Sequence, residues 1–211
     1  MDITDVLERS FTISIDKTNR DTQKVIFEKE SIPTPRFFPG FTNKTLNATY
    51  KCALSHISII KTAIAMGFPS VLIYEDDAYP RHGALSYLNT CLSKVPDDFN
   101  ILILGWSMLR NPEKIKYPLL NRFDQQKTKM YGSHSYIISK KAYAPLMVSY
   151  ENNDNTVSDG FYKFVDNVYM TKEPVFIQFS QKKSMNGHVG YILEGDHRTP
   201  PAGFLPFERY R

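Results

Sequence analysis

The sequence predicts an α/β protein with a Rossmann-like, mostly parallel central sheet flanked by helices, and three observations carry that reading. Two apolar runs of strand character, Val71-Leu72-Ile73-Tyr74 and Ile101-Leu102-Ile103-Leu104, are continuous rather than alternating. Strands covered on both faces read this way. Segments with helical apolar spacing separate such runs, so helix and strand alternate along the chain. Finally, the first run ends in three successive acids, Glu75, Asp76 and Asp77. Ligands of open α/β sheets sit beyond the carboxyl ends of the strands, which is where this triplet lies.

The elements follow in order. Phe11-Thr12-Ile13-Ser14-Ile15 alternates apolar and polar residues and reads as a first strand, with the polar segment Asp16 to Gln23 as a loop after it. Thr22 to Lys29 forms a short helix, ended by Ile32-Pro33-Thr34-Pro35 because residues before proline leave the helical region. Phe37-Phe38-Pro39-Gly40 ends in a turn. From Tyr50 to Met66 the apolar positions Ala53, Leu54, Ile57, Ile60, Ile64 and Ala65 keep helical spacing, and Gly67 closes the helix. After the strand from Val71 come a helix over Ala84 to Leu92 and a strand over Asn100 to Gly105. Ser135 to Ile138 is a further strand, Lys140 to Ser149 a helix, and Val175 to Phe179 the last strong strand. Beyond it, the glycines Gly187, Gly190 and Gly195 and the Lys182-Lys183 pair mark about 180–199 as a mobile C-terminal loop closing over a bound ligand.

A chain of 211 residues suits a single domain over 1–211, and 42% hydrophobic with 13% aromatic residues excludes a disordered polymer. The 26 basic and 22 acidic residues leave a net charge of +4, scattered rather than massed. That excludes a nucleic-acid footprint and leaves anionic small molecules as partners. Cys52 and Cys91 have neither metal-type spacing nor a disulfide framework, which suits a reducing compartment. The start, Met1-Asp2-Ile3-Thr4-Asp5, lacks a basic then apolar leader, and no run approaches the ~18 apolar residues of a membrane span. A soluble cytoplasmic protein with no transmembrane segment is therefore expected.

Three acids together are costly without a cation, and carboxylate oxygens are hard ligands suited to Mg²⁺ or Mn²⁺. A metal-diphosphate site at Glu75 to Asp77 is the leading expectation; an acidic turn or helix N-cap is the alternative. If extended geometry persists, Glu75 and Asp77 share a side and Asp76 faces away. Asp77 then ranks first as a metal ligand and Glu75 second.

Four blocks together resemble glycosyltransferase family 25, the group of bacterial lipooligosaccharide and collagen galactosyltransferases. They are Ile13-Ser14-Ile15-Asp16 with Arg20 nearby, Cys52-Ala53-Leu54-Ser55-His56, Leu72-Ile73-Tyr74-Glu75-Asp76-Asp77, and Gly132-Ser133-His134-Ser135-Tyr136-Ile137-Ile138-Ser139. Lys51 stands where the family usually has Gly, and Lys17-Thr18 where it usually has a basic pair. The resemblance implies a GT-A fold and a metal-dependent, inverting hexosyltransferase. Its donor is a nucleoside-diphosphate sugar, UDP-linked by expectation, and its acceptor a glycan or glycoconjugate. It implies Mn²⁺ rather than Mg²⁺, held by Glu75, Asp77 and a late histidine, for which His188 is preferred to His197. Asp16, Arg20, His56 and Asp76 become donor-binding candidates, and Asp159, followed by Gly160, the general base. Each residue has a plainer alternative: an N-cap for Asp159, packing within its helix for His56, a solvated surface for Arg20, an exposed loop for His188. A non-catalytic nucleotide-sugar or carbohydrate-binding module of a larger protein is the alternative for the whole chain, and a metal-dependent phosphohydrolase is a third reading.

Overall fold

The structure, a computed structural model, describes residues 1–106, 134–151 and 165–178, and the backbone of 108–109, 120–122 and 130–131. In chain order the elements are α1 (Ile3–Glu8), β1 (Ser10–Ser14), α2 (Lys17–Lys29), β2 (Arg36–Pro39), α3 (Ala48–Ala65), β3 (Ser70–Glu75), β4 (Ala78–Pro80) and α4 (Ala84–Leu92). There follow β5 (Ile101–Gly105), β6 (Met108–Leu109), β7 (Leu120–Arg122), β8 (Met130–Tyr131), β9 (Ser135–Ser139), α5 (Lys140–Glu151), β10 (Val168–Thr171) and β11 (Phe176–Gln178).

Seven strands form the central sheet in the order β2-β1-β3-β9-β5-β10-β7. Strand β1 is parallel to β2 and β3, and β10 is parallel to β5. The antiparallel members are β9, inserted between β3 and β5, and β7 at the far edge. Because β9 opposes both β3 and β5, the other five strands all point one way, so the sheet is mostly parallel as expected. The carboxyl ends of β1 and β3 meet at one edge, Ile13 pairing with Glu75.

Burial on both faces explains the continuous apolar runs. In β3, Val71 and Ile73 join a cluster with Ile59, Ile60 and Ala63 of α3 and Ala142 and Leu146 of α5. Leu72 and Tyr74 point to the opposite cluster, with Phe27 of α2, Leu88 of α4 and Phe176 of β11. There Tyr74 meets Phe27 and Phe176 edge-on, with ring centroids 5.2 and 4.8 Å apart. Such pairs add about 0.5–1.5 kcal/mol each beyond area burial.

Helices α3 and α4 and strands β3, β5 and β9 match the sequence reading to within a few residues. Elsewhere the structure corrects it. The loop expected over Asp16 to Gln23 is largely helix: the Asp16 carboxylate accepts the Thr18 and Asn19 N–H groups at 2.7 and 3.4 Å, so α2 starts at Lys17 rather than Thr22. A polar first turn with a good cap is a helix start, and apolar periodicity alone misses it. Phe37 to Gly40 does not merely turn, because Arg36–Pro39 is an edge strand, where a proline without an N–H is tolerated. The last strong strand forms over Phe176–Gln178, but it pairs with β4 in a separate two-stranded sheet. The place beside β5 belongs to β10, which the sequence reading left unassigned.

At the end of β5, Gly105 is required by packing rather than by dihedral freedom. A Cβ there would lie 2.5 Å from Nε2 of buried His134 and 3.0 Å from the Phe176 carbonyl oxygen, two atoms already hydrogen-bonded to each other at 2.8 Å. Gly105→Ala should cost about 1–3 kcal/mol, the usual scale of overpacking, read as a lower urea midpoint at unchanged slope. A midpoint equal to that of the unsubstituted protein would show that His134 yields freely.

Candidate active site

Strand β3 ends at Glu75, and Asp76 and Asp77 turn the chain into β4. One side chain holds both ends of this turn. Gln23, fully buried on α2, donates its amide to the Glu75 carbonyl at 2.9 Å and to the Ala78 carbonyl at 2.8 Å. Gln23, Ile26 and Phe27 share the buried face of α2, so a polar residue at apolar spacing was the available signal for this clamp. Sequence reasoning missed it.

The clamp also stops the expected alternation. Glu75, Asp76 and Asp77 take three different neighbours instead of sharing sides in the pattern of a strand. Asp76 faces β1 and α2, accepting from the Ser14 hydroxyl at 2.8 Å and from the Asn19 amide at 3.5 Å. Burial raises its carboxyl pKa, and those two hydrogen bonds oppose the rise. Asp77 faces β11, where its Oδ2 accepts from the Gln178 amide at 3.0 Å. Its Oδ1 is buried with no hydrogen-bond partner among the described residues. Burial, and secondarily the Asp76 charge, push the Asp77 carboxyl up to about 7.

Glu75 faces α3. Its Oε1 lies 3.6 Å from Nε2 of His56, whose Nδ1 is hydrogen-bonded to the Tyr136 hydroxyl of β9. Cys52, one helical turn before His56, completes a trio whose ligand atoms all lie within 4.8 Å of one another.

Of the other expected donor residues, Asp16 is the N-cap of α2 and Arg20, one turn later, lays its guanidinium over the Phe37 ring at 5.2 Å. Both stand on the β1 side of the turn. Trp106 packs against the core cluster that contains α3. Asp159, His188 and the expected lid over 180–199 lie outside the described residues. Among the described residues, no helix is long and apolar enough to cross a membrane.

The arrangement gathers carboxylates at the carboxyl end of a central strand. Among the described residues, the buried Oδ1 of Asp77 has no hydrogen-bond partner, and the half-buried Asp76 carboxylate stands next to it in the chain. The sequence pattern of glycosyltransferase family 25 (LPS biosynthesis protein) matches residues 43–196, which is well over half of the chain and includes α3, the acidic turn and β9. The chain belongs to glycosyltransferase family 25. No curated protein sequence matches it significantly. Among solved structures, it is similar in fold to a glycosyltransferase involved in the glycosylation of the major capsid of PBCV-1. The identity is 13% and the TM-score 0.50, over 84% of this chain and 94% of that one. A weaker likeness, with 11% identity and a TM-score of 0.47, links it to A197 from STIV over 87% of this chain and 96% of that one. Glycosyl transfer between a sugar donor and an acceptor is thus the activity class of this family member.

The Asp77 environment has a consequence for stability. A carboxylate raised in the folded state from 3.8 to about 7 favours the protonated form, so its contribution is intact below about 4 and is lost as pH rises through about 7. Asp77→Asn is neutral throughout. Without divalent cations, the melting temperature of Asp77→Asn should therefore gain on that of the unsubstituted protein between pH 4 and pH 7, the difference levelling off above. Parallel pH profiles for the two proteins would show that Asp77 ionises as readily folded as unfolded.

Proposed function

We propose that this family 25 member is a Mn²⁺-dependent hexosyltransferase of GT-A type that uses a UDP-linked sugar and glycosylates a glycan or glycoconjugate with inversion. The buried Oδ1 of Asp77, which has no hydrogen-bond partner among the described residues, carries this reading, because a hard dication suits such an oxygen. Asp77 would supply an anionic oxygen to it from the turn after β3, Glu75 would join it by turning its side chain away from α3, and His188 would be the third ligand. Asp76, already tied to Ser14 and Asn19, presents the β1 side of the turn to the donor ribose. Asp16 and Arg20 flank the nucleotide, the Arg20 fork suiting phosphate oxygens. When bound, the cation neutralises charge that develops on the departing diphosphate.

The protein's own part is to orient donor and acceptor and to move one proton. The acceptor hydroxyl oxygen bonds to the anomeric carbon from the face opposite the diphosphate, and the bond from that carbon to the diphosphate oxygen breaks. The hydroxyl proton passes to the Asp159 carboxylate, and the nucleoside diphosphate leaves with the bonding electron pair. The free Cys52 and Cys91 suit a reducing, cytoplasmic setting.

Calorimetry with UDP-sugars and Mn²⁺ tests the donor half. Asp77→Asn should abolish the Mn²⁺-dependent part of the affinity while the protein stays folded, and an unchanged affinity would remove Asp77 from the cation site. Asp159→Asn should lower kcat by roughly 10²-fold or more with donor affinity retained, the scale of lost general-base assistance. Equal losses of binding and turnover would place Asp159 among the donor contacts instead. Donor binding with no transfer to any acceptor would favour a binding module.

A further inference from the structure

We propose that Cys52, His56 and Glu75 form a site for a thiophilic divalent cation of the Zn²⁺ class, held by three protein atoms with a fourth position left for water. The site goes beyond the glycosyl-transfer reading and needs neither a nucleotide nor Mn²⁺.

The ligands come from two elements. Cys52 and His56 stand four residues apart on α3, so their side chains lie one above the other on a single face. His56 is 6% exposed, and Ser55, Ile59 and Ile60 of the same helix are buried with it. Glu75 enters from the end of β3 with its backbone fixed on both sides. Its N–H donates to the His134 carbonyl at 2.9 Å, and its own carbonyl accepts from the Gln23 amide at 2.9 Å. One ligand atom from each of the three residues lies within 4.8 Å of the other two, and the Cys52 thiol is free.

The observation that points to an ion is the His56 ring. Its Nε2 is buried with no hydrogen-bond partner among the described residues, although it faces Glu75 Oε1 at 3.6 Å. That gap is too long for a hydrogen bond. It is close to the separation of roughly 3.3–3.4 Å between two ligand atoms that each sit about 2.0–2.1 Å from one ion at the tetrahedral angle. The Cys52 sulfur, at a bond length of about 2.3 Å, would have to close in by a movement on the order of 1 Å. The other ring nitrogen, Nδ1, is hydrogen-bonded to the Tyr136 hydroxyl of β9, and the two rings lie 25° from parallel with centroids 5.7 Å apart. With Nδ1–H donating to that oxygen, Nε2 keeps its lone pair for the ion. An outer partner of this kind is what fixes the tautomer and direction of ligating histidines.

Charge decides the class of ion. Cys52 binds as the thiolate and gives up its proton to solvent, so thiolate, carboxylate and neutral imidazole together carry two negative charges and balance a dication. A thiolate beside an imidazole selects Zn²⁺ or Co²⁺ over the harder Mg²⁺ and Mn²⁺. Glu75 serves this site while it faces α3 and the donor cation only when turned away, so its carboxylate does not serve both at once.

Co²⁺ titrated into the reduced, metal-free protein without nucleotide tests the site through thiolate-to-metal charge-transfer absorption. One equivalent should produce the band, Zn²⁺ should displace it, and Zn²⁺ should raise the melting temperature by binding the native state. Cys52→Ser should remove both the band and the Zn²⁺ shift, whereas Cys91→Ala should keep them. His56→Gln and Glu75→Gln should each weaken Co²⁺ about 10-fold or more, and Tyr136→Phe by a smaller factor. Melting without metal checks that each variant folds; if His56→Gln does not, Glu75→Gln, on the partly exposed ligand, decides. Absence of the band overturns the site, as does a band that survives Cys52→Ser. So does a band that Cys52→Ser removes while His56→Gln and Glu75→Gln keep full affinity, which marks an adventitious thiol contact only. None of these failures touches the donor reading, which Mn²⁺-dependent UDP binding tests separately.

Discussion

Strand β3 is covered on both faces, and the placement of every acid at its end depends on that constraint. Val71 and Ile73 lie against α3 and α5, while Leu72 and Tyr74 lie against α2, α4 and β11, all without measurable exposure. At about 1.5–3 kcal/mol for each large apolar side chain removed from water, these four set the strand's depth and register more firmly than any polar contact nearby. Side chains following directly on such a strand have little choice of surroundings. Glu75, Asp76 and Asp77 therefore enter a partly dry region.

Polar atoms in that region must find partners or carry a cost of about 1–3 kcal/mol each. Gln23 satisfies two backbone carbonyls with one amide, and in doing so it bends the chain between Glu75 and Ala78. The same bend gives each acid its own neighbour. Asp76 and Asp77 are drawn toward the hydroxyl and amides of Ser14, Asn19 and Gln178, and Glu75 toward His56. Hydrogen-bond accounting for the turn thus determines where negative charge can gather. Among the described residues, one oxygen is left over from that accounting, Asp77 Oδ1.

The elements that could be read from sequence were those whose signal is local. Helix α3 shows its apolar face within its own residues, and Gly67, at φ +66, ends it as a left-handed closing residue should. The apolar runs of β3 and β5 name themselves because both faces are covered. Helix α2 was half-read, since its first two turns are polar and only the Asp16 cap announces them. Strands β2 and β10 were missed because Arg36–Pro39 contains a proline and Val168–Thr171 is a short run whose partner, β5, lies more than sixty residues earlier in the chain.

Sequence alone determined the fold class, the family and the position of the three acids at the end of a central strand. All of these are properties of apolar periodicity and short motifs, which each segment carries by itself. Only the tertiary structure decided what those acids face. The contacts that separate their roles come from Ser14, 62 residues before Asp76, and from Gln178, 101 residues after Asp77. The same holds for Tyr136, 80 residues beyond His56. A carboxylate's protonation and direction depend on burial and on which donors surround it, and those are set by chain segments that meet only when the sheet is assembled.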